Sequence, residues 1–500
     1  MVHRERRRRL QLAPPPAAGV MARPAPDSLY LSIDQGGHAS RALAFDARGA
    51  LQASALRDVG ARHPQPDWVE QDPEALVTSL QEVVAQAIAA LGARAGRIAA
   101  AGLATQRSSI VCWDRNTGAA LSPVISWQDR RAHEWLAGFA AQADEIHRRT
   151  GLRLSAHYGA SKLRWCLDNL PAVAAARRAG RLAMGPLASF LLFRLLPEQL
   201  PLCADPANAA RTLLWNLRTR DWDPWLLELF GIPRAALPRC VPTRHAFGAL
   251  RAGGRSTPLA IATGDQSAAL FALGAPRSDS AYVNIGTGAF IQSVFERPPE
   301  AAGLLAGMVY HDVERSVYVL EGTVNGAGAA LAWAEQEWRL QDLEAHLPAW
   351  LARDGEVPLF LNGIAGLGAP FWVAQFDSRL IGDGEAWQKA VAVAESVVFL
   401  LRVNLDILRA SAPDLSRLVV TGGLASLDGL CQRLADLSGL TVYRPAQHEA
   451  TARGTAYLLA GFPAAWPEEE PGATFAPRPN PELAERYARW RREMDAAIGA

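Results

Sequence analysis

Residues 29–46 read LYLSIDQGGHASRALAFD, two short apolar segments joined by a glycine-rich turn. Segments of this kind predict a β-hairpin with strands over Leu29–Asp34 and Arg41–Asp46, and with the carboxylate of Asp34 at its mouth. Glycine in the turn allows an anion to approach the backbone N–H groups without meeting a side chain. The stretch therefore predicts the start of an α/β lobe. Taken alone, its glycine turn is either a plain connection between strands, as most such turns are, or an anion-binding site.

The same pattern occurs a second time. Ala281–Ile285 and Ala289–Phe295 flank the turn Gly286-Thr287-Gly288, which again predicts a strand, a glycine turn and a returning strand. Two such turns could hold one triphosphate from both sides. We therefore expect two related α/β lobes. The predicted division is an Arg/Pro-rich extension over 1–26, an N-terminal lobe over 27–275, a C-terminal lobe over 276–465, and a tail with a helix over 466–500.

Composition sets limits on the class of protein. The chain has 500 residues, 49% hydrophobic and 20% charged, with a net charge of +1. This length favours at least two domains, and the balanced charge favours neither nucleic acid nor an anionic membrane as a partner. The apolar run over 186–196 is too short to cross a bilayer and predicts a buried helix.

The cysteines and the start of the chain favour a cytoplasmic protein. The five cysteines form no C-x-x-C pair, which is typical of reduced thiols. The first 26 residues contain no apolar segment of a secretory signal, and disorder is the simplest expectation for them. Met21 stands just ahead of the first strand, so translation could begin at Met1 or at Met21.

The common nucleotide-binding and hydrolase motifs are absent from the sequence. The chain has two lysines, Lys162 and Lys389, and neither follows a glycine in a P-loop pattern. No G-x-G-x-x-G motif follows a predicted strand. His133-Glu134 and His448-Glu449 both lack the second histidine of a zinc protease. If ATP binds, it does so on another architecture.

Several ordered motifs resemble those of the FGGY-type carbohydrate kinases, and within that family the glycerol kinases. The resemblance covers about Leu29–Pro463. The motifs, in chain order, are Ile33-Asp34-Gln35-Gly36 with Ser40-Arg41, Asp67-Trp68-Val69-Glu70, Thr105-Gln106-Arg107, Trp127-Gln128-Asp129-Arg130-Arg131, Ser161-Lys162-Leu163-Arg164-Trp165, Gly264-Asp265-Gln266, Gly286-Thr287-Gly288, Glu321-Gly322, Gly366-Leu367-Gly368-Ala369-Pro370 and Gly422-Gly423.

The resemblance implies an α/β protein of two ribonuclease-H-like lobes, as in actin-like ATPases, with a catalytic cleft between them that closes on ATP and a polyol. Asp265 matches the general base that takes the proton of the substrate hydroxyl. Asp34 matches the carboxylate near Mg²⁺, and Arg41 a position near the transferred phosphoryl group. Without the resemblance to the family, Asp265 would be interpreted as a helix N-cap, Asp34 as an acidic residue in a turn, and Arg41 as a surface arginine.

The resemblance also implies a substrate pocket and a nucleotide site. Arg107, Trp127, Asp265, Gln266 and Phe290 match positions that contact the polyol in glycerol kinases. By composition alone the two aromatic residues would be assigned to the core. The nucleotide positions implied by the family are Asp34, Gly36, Gly37, His38, Arg41, Gly286, Thr287, Gly288, Gly328, Gly422 and Gly423.

The sequence departs from the family in both sites. Ser108 stands where glycerol kinases carry Glu, and His157 stands where they carry Tyr. These two changes leave open whether the substrate is glycerol, a different polyol or a ketose. Gly37-His38-Ala39 replaces hydroxyl residues in the first turn, and Leu427-Asp428 replaces an Asn pair near the adenine. These changes leave the nucleotide preference open.

Three functional classes remain open from the sequence. The first is an ATP- and Mg²⁺-dependent kinase for glycerol, another polyol, a pentitol or a ketose. The second is a non-catalytic regulator that binds a sugar or a nucleotide, and the third is an ATPase that shares only the fold. The expected partner is a small polyol or sugar, and the sequence leaves homo-oligomerisation open.

Overall fold

The computed structural model describes residues 27–300, 303–340, 342–446, 449–468 and 470–499. The predicted extension over 1–26, and with it the choice between Met1 and Met21, lies outside the described residues. Within them the chain forms two large mixed sheets, each covered by helices, which confirms the predicted α/β fold of two lobes.

The helices and strands have the following bounds. The helices are α1 (Pro73–Leu91), α2 (His133–Ala137), α3 (Ala143–Thr150), α4 (Gly159–Asn169), α5 (Pro171–Arg178), α6 (Leu187–Leu195), α7 (Pro206–Ala209), α8 (Pro224–Leu229), α9 (Asp265–Ala269), α10 (Gly328–Glu337), α11 (Leu343–Leu351), α12 (Ala386–Ser411), α13 (Asp428–Ser438), α14 (Ala450–Leu459) and α15 (Pro481–Ile498). The strands are β1 (Leu29–Gln35), β2 (Ala39–Asp46), β3 (Leu51–Asp58), β4 (Glu70–Gln71), β5 (Ile98–Thr105), β6 (Ile110–Asp114), β7 (Val124–Ile125), β8 (Leu182–Pro186), β9 (Cys203–Ala204), β10 (Trp215–Asn216), β11 (Asp221–Trp222), β12 (Arg239–Cys240), β13 (Arg244–Ala252), β14 (Arg255–Gly264), β15 (Ser280–Ile285), β16 (Ala289–Phe295), β17 (Leu305–His311), β18 (Ser316–Val324), β19 (Leu359–Leu361), β20 (Arg379–Ile381), β21 (Arg417–Thr421), β22 (Thr441–Arg444) and β23 (Ala473–Phe475).

The two large sheets repeat one topology. The first has the order β13-β14-β5-β1-β2-β3 and the second the order β17-β18-β16-β15-β21-β22-β23. In each, a hairpin pairs antiparallel (β1 with β2, β15 with β16) and its first strand pairs parallel with a later strand (β5 or β21). A further parallel strand follows in both, β14 beside β5 and β22 beside β21. The repeated hairpin read from the sequence is therefore the centre of each lobe.

Helices cover both faces of the first sheet. α1 has Pro73 at its first turn and the side chain of Asp72 as its N-cap, and its apolar face packs on one side of the sheet. The segment Pro73–Arg97 is the one candidate among the described residues that is long and apolar enough to span a membrane, and half of it is buried. α6 lies on the same side and is buried on all but one residue, as predicted for the run over 186–196.

The other face of the first sheet is covered from the far end of the chain. α14 follows β22 of the second lobe, yet its apolar residues pack with Tyr30, Leu43 and Phe45 of the first sheet. The hydroxyl of Ser32 donates to the carbonyl of Ala452 over 2.7 Å. α14 and α9 therefore lie between the two sheets and form the floor of the cleft.

Between β5 and β13 the first lobe carries a large insertion. It contains the helices α2 to α8 and the strands β6, β7 and β8 of a small sheet of order β4-β7-β6-β8, whose strand β4 comes from the segment just before α1. The loops that carry Arg107, Trp127 and His157 belong to this insertion, and the first two lie beside Gln266 after β14 and Gly37 after β1. The insertion thus adds a side wall to the cleft.

Candidate active site

The first hairpin places a carboxylate and a guanidinium opposite each other. Asp34 and Arg41 are paired across β1 and β2, and Arg41 Nη1 lies 3.7 Å from Asp34 Oδ2. The same nitrogen lies 3.7 Å from Glu449 Oε2, at the start of α14. Arg41 is therefore held between two carboxylates at the mouth of the hairpin.

Asp34 is suited to hold a cation. It is 4% exposed, and its Oδ1 is buried without a hydrogen-bond partner in the structure. Burial, together with the charge of Asp265, raises the pKa of Asp34 to about 7, although Arg41 acts in the opposite direction. A buried carboxylate oxygen with a free lone pair is a hard ligand of the type that Mg²⁺ prefers. Among the described residues, no group of three or more His, Cys, Asp or Glu is arranged to hold a metal ion.

Three buried glutamines support the first turn. Gln106 Nε2 donates to Gln35 Oε1 over 3.0 Å and to Gln71 Oε1 over 2.8 Å. Gln71 in turn donates to the carbonyl of Gly37, and Gln35 to that of Gly36. These bonds fix the carbonyls of the turn on its inner side. His38 is exposed at the tip, where it adds no hydroxyl donor.

The second turn is closed by contacts with a helix start. Gly286 N–H donates to the Gly288 carbonyl over 2.8 Å, and Gly328 N–H donates to the Gly286 carbonyl over 2.9 Å. The backbone of α10 thus begins directly on this turn. Gly422 has φ +96°, and a Cβ there would lie 2.5 Å from the Ile285 carbonyl oxygen, so only glycine fits.

A cavity of about 830 Å³ lies between the two sheets. Several predicted site residues line it: Arg41, Asp265, Gln266, Phe290, Gly422 and Gly423. Its wall also includes Asn284, Thr421, Ser426, Arg444 and Glu449, which were not among the predicted site residues. This size is within the range of small-molecule sites, and the cavity opens on both lobes.

Asp265 lies at the end of β14, at the first position of α9, beside an arginine. Arg107 Nε is 3.9 Å from Asp265 Oδ1, and Arg107 Nη2 donates to Gln266 Oε1. A Cβ at Gly264 would come within 2.5 Å of the Arg107 side chain, so glycine is needed for this approach. Burial raises the pKa of Asp265, and Arg107 partly offsets the rise.

The sequence matches known proteins over nearly its whole length. The model of the N-terminal domain of the FGGY family of carbohydrate kinases matches residues 29–272, and that of the C-terminal domain matches residues 281–461. The chain belongs to the FGGY family of carbohydrate kinases. It is 36% identical to a glycerol kinase of Alkalilimnicola ehrlichii over 488 residues, which cover 94% of this chain and 98% of that protein. It is 33% identical over 495 residues to a glycerol kinase of Burkholderia cenocepacia, with the same coverage.

Solved structures show the same fold. The glycerol kinase of Plasmodium falciparum, solved with ADP, superposes with a TM-score of 0.86 at 22% identity, covering 94% of this chain and 98% of that one. A xylulose kinase from Rhodospirillum rubrum superposes with a TM-score of 0.83 at 21% identity and the same coverage. These comparisons confirm the two-lobed, actin-like fold of this FGGY kinase.

A buried lysine organises the opposite end of the site. Lys162 Nζ donates to the carbonyl oxygens of Ser126 and His157, each over 2.7 Å, and of Ser108 over 3.2 Å. Three acceptors use the three N–H donors of an ammonium group. The lysine therefore joins the segments that carry Ser108, Trp127 and His157. From the sequence, this lysine was recognised only as part of a family motif.

Ser108 and His157 lie close together in this kinase. Ser108 has φ +64°, an uncommon conformation for a residue other than glycine, and its Oγ is buried without a partner in the structure. The His157 ring lies 5.7 Å from that of Trp127, centre to centre. Burial and then the nearby cations hold the pKa of His157 well below its usual range, so the ring is neutral.

Two arginine clusters join residues that the sequence showed at most as parts of separate motifs. Arg211 in the first lobe forms a buried bidentate pair with Glu321 of β18, at 3.2 and 2.9 Å, and Gln292 also donates to Glu321. Arg131 packs against the rings of both Trp68 and Trp165, 4.0 and 4.5 Å from their centres, and bonds to Asp129 and Glu70. Both clusters join segments that are far apart in the chain. The types of residue involved do not indicate, from the sequence alone, that these segments are in contact.

The predicted residues fall into three groups in the kinase structure. Asp34, Gly36, Gly37, His38 and Arg41 lie on the first hairpin, and Trp127 Nε1 approaches Gly37. Gly286, Thr287, Gly288, Gly328, Gly422 and Gly423 surround the second turn. Arg107, Ser108, Trp127, His157, Asp265 and Gln266 form the third group, with Phe290 on β16 facing the cavity.

Proposed function

We propose that this kinase transfers the terminal phosphoryl group of ATP to a hydroxyl of a small polyol or sugar. The observation that carries this is the position of Asp265. It lines the cavity that reaches Gly422 and Gly423, and it also lies beside Arg107 and Gln266, which donate and accept hydrogen bonds of the kind that hydroxyls make. A carboxylate between a nucleotide-sized cavity and a polar pocket is placed to act on a hydroxyl.

The chain's own residues divide the work of the transfer. Asp265 accepts the proton of the attacking hydroxyl, whose oxygen bonds to the terminal phosphorus while the bridging oxygen leaves with ADP. Arg107 holds the acceptor and orients Asp265. Arg41, between Asp34 and Glu449, offers its guanidinium to the transferred group and offsets charge on its oxygens.

Asp34 would hold Mg²⁺ through its buried, unpartnered Oδ1. A magnesium ion bound there would neutralise charge on the phosphate oxygens of ATP. The backbone N–H groups of the two glycine turns would bind the phosphates from opposite sides, and Thr421, Gly422 and Ser426 line the cavity further along. We place the adenosine on that side of the cavity.

A substrate screen tests the proposed function. Purified protein with ATP and Mg²⁺ is incubated with glycerol, tetritols, pentitols and ketoses, and phosphorylated products are identified by mass spectrometry. At least one product is expected. Calorimetric binding of ATP and a polyol without any product would instead support a non-catalytic regulator, and ATP hydrolysis independent of any acceptor would support an ATPase.

Ser108 is expected to affect which acceptor is preferred. Ser is shorter than the Glu of glycerol kinases, so we expect the native enzyme to prefer an acceptor longer than glycerol. Ser108→Glu should then shift the ratio of kcat/KM toward glycerol by ~10-fold, with His157→Tyr tested alone and in combination. Steady-state kinetics on glycerol and the best longer acceptor measure the ratio. A native preference for glycerol that neither variant changes would place Ser108 outside the substrate's reach.

Ligands are expected to bring the two lobes together. Phosphoryl transfer needs alignment and the exclusion of water, and residues from both lobes line the cavity. Small-angle scattering should therefore show a smaller radius of gyration with ADP, Mg²⁺ and acceptor than without them. A control with ADP and Mg²⁺ but no acceptor shows whether the nucleotide alone closes the lobes or whether closure needs the acceptor as well. An unchanged radius would mean that the cleft is already closed.

We also propose that the enzyme works in the cytoplasm on a free small molecule, without nucleic acid or membrane. The five cysteines are all free thiols in the structure, and four of them are buried. Reduced thiols in these positions suit a reducing compartment. Homo-oligomerisation stays an open prediction, which light scattering coupled to size exclusion would test.

A further inference from the structure

A buried ion pair between the two lobes lies close to Arg107. Arg211 of the first lobe donates from both terminal nitrogens to the carboxylate of Glu321 in β18 of the second lobe, over 3.2 and 2.9 Å. Both side chains are almost fully buried. Gln292, which lines the cavity, donates to the same carboxylate. The pair therefore joins the lobes next to the proposed acceptor site.

The charges of this pair act on Arg107. Burial and then the positive charge of Arg211 lower the pKa of Arg107 to about 10, whereas the negative charges of Glu321 and Asp265 act to raise it. Burial alone would raise the pKa of Glu321, but Arg211 and then Arg107 hold it below its ordinary value. Glu321 is thus a carboxylate that attracts two arginines, and its oxygens bond to Arg211.

Two arginines and two carboxylates balance each other in this region. Arg211 is paired with Glu321, while Arg107 lies 3.9 Å from Asp265 and donates to Gln266. A buried charge without a counter-charge is costly, because Coulomb forces are strong where water is excluded. If Arg211 were neutral, Glu321 would be a buried carboxylate without its counter-charge. It would then attract the other guanidinium whose charge acts on it, that of Arg107.

We propose that Arg211 is a positioning residue of the acceptor site, which holds Glu321 so that the guanidinium of Arg107 faces Asp265, Gln266 and the acceptor. This inference rests on the proposed kinase function and adds a residue to it. Arg211 acts through Arg107 and takes no part in the proton transfer or in the bond changes at phosphorus. Its partner Glu321 belongs to the second lobe, so the acceptor site of the first lobe depends on a charge from the other lobe.

Substitutions of Arg211 test the proposal in steady-state kinetics. The acceptor is whichever of glycerol, the tetritols, the pentitols and the ketoses the native enzyme phosphorylates best. Arg211→Gln should raise KM for this acceptor by ~10-fold or more, because Glu321 then draws Arg107 away from it, while KM for ATP should change by less than ~3-fold. Arg211→Lys keeps the positive charge beside Glu321, so both KM values should stay within ~3-fold of native.

A double variant separates positioning from a purely structural role. Arg211→Gln combined with Glu321→Gln removes both charges, so nothing draws Arg107 away and the acceptor KM should return to within ~3-fold of native. If the pair served only to join the lobes, the double variant would stay as impaired as the single one.

Arg433→Gln is the control. Arg433 forms a similarly buried pair with Glu395, between α13 and α12 of the second lobe, and Glu395 also bonds to Arg486. This variant should lower the temperature of thermal unfolding without changing the acceptor KM.

The outcomes of these tests are distinct. An unchanged acceptor KM in Arg211→Gln, or equal rises in KM for acceptor and ATP, would overturn the inference and leave the kinase function standing. A double variant that does not recover would overturn it as well. If Arg211→Gln does not fold, the double variant decides: a near-native acceptor KM supports the proposal, and a raised one refutes it. If the native enzyme phosphorylates none of the acceptors, the proposed function fails and the inference fails with it.

Discussion

Asp265→Asn should lower turnover on the best acceptor by at least ~100-fold while leaving the fold intact, as is typical when a general base is lost. The amide keeps the size of the carboxylate and can still face Arg107, but it accepts no proton. Acceptor binding should therefore change little, so the effect should fall on kcat and not on KM. Steady-state kinetics and calorimetric titration of the variant measure the two separately.

The pH profile gives an independent check of the same residue. Because burial raises the pKa of Asp265, the native rate should fall as the pH drops through that value, and this limb should be missing from the residual activity of the Asn variant. Asp414→Asn, which changes an exposed carboxylate, serves as the matched control. Near-native turnover of Asp265→Asn would remove the residue from the mechanism.

Asp34→Asn should lower turnover strongly and at the same time raise the folding stability of the ligand-free protein. Turnover should fall by ~100-fold or more, because a group that helps to stabilise the transition-state charge is lost. The ligand-free protein should nevertheless become more stable. The pKa of Asp34 is about 7 in the folded protein, so the folded state keeps a proton that the unfolded chain has lost above pH ~4. Folding stability is thus lost as the pH rises toward 7, and Asn avoids that loss.

The size of this gain follows from the shift in pKa. About three pH units correspond to an upper limit of about 4 kcal/mol at pH 8, and to less than half of that at pH 5. Thermal unfolding in EDTA at the two pH values compares the native protein with Asp34→Asn. Asp58→Asn, at the exposed end of β3, is the control. A gain that is equal at pH 5 and pH 8 would contradict the raised pKa.

The sequence predicted the parts of the fold that depend on neighbouring residues. The hairpin over 29–46 follows from its apolar segments and its glycines, and the structure places β1 and β2 within one or two residues of the expected bounds. The start of α1 also depends on neighbouring residues, because Asp72 caps it and Pro73 stands at its first position. Asp34 could be placed at the mouth of the hairpin for the same reason, because it directly follows an apolar segment.

The contacts that shape the site depend on distant residues. Arg211 and Glu321 are 110 positions apart, and Lys162 reaches a carbonyl 54 positions away. Lysine in a helix is normally a surface residue, and its burial under three carbonyls has no signal in the local sequence. Glu449 was considered only as an incomplete zinc motif, whereas the fold brings it to Arg41. Such contacts arise from the packing of the lobes and not from periodicity.

The crossing of α14 to the first sheet has a consequence for the order in which the protein is made. A ribosome releases the chain from its N-terminus, so Tyr30, Leu43 and Phe45 emerge more than 400 residues before the helix that covers them. Until then the first sheet exposes an apolar face, which is the surface that folding helpers bind and that promotes aggregation. A fragment that ends near residue 275 would keep that face exposed permanently. The first half of this chain therefore reaches its final state only after nearly all of the second half has been synthesised.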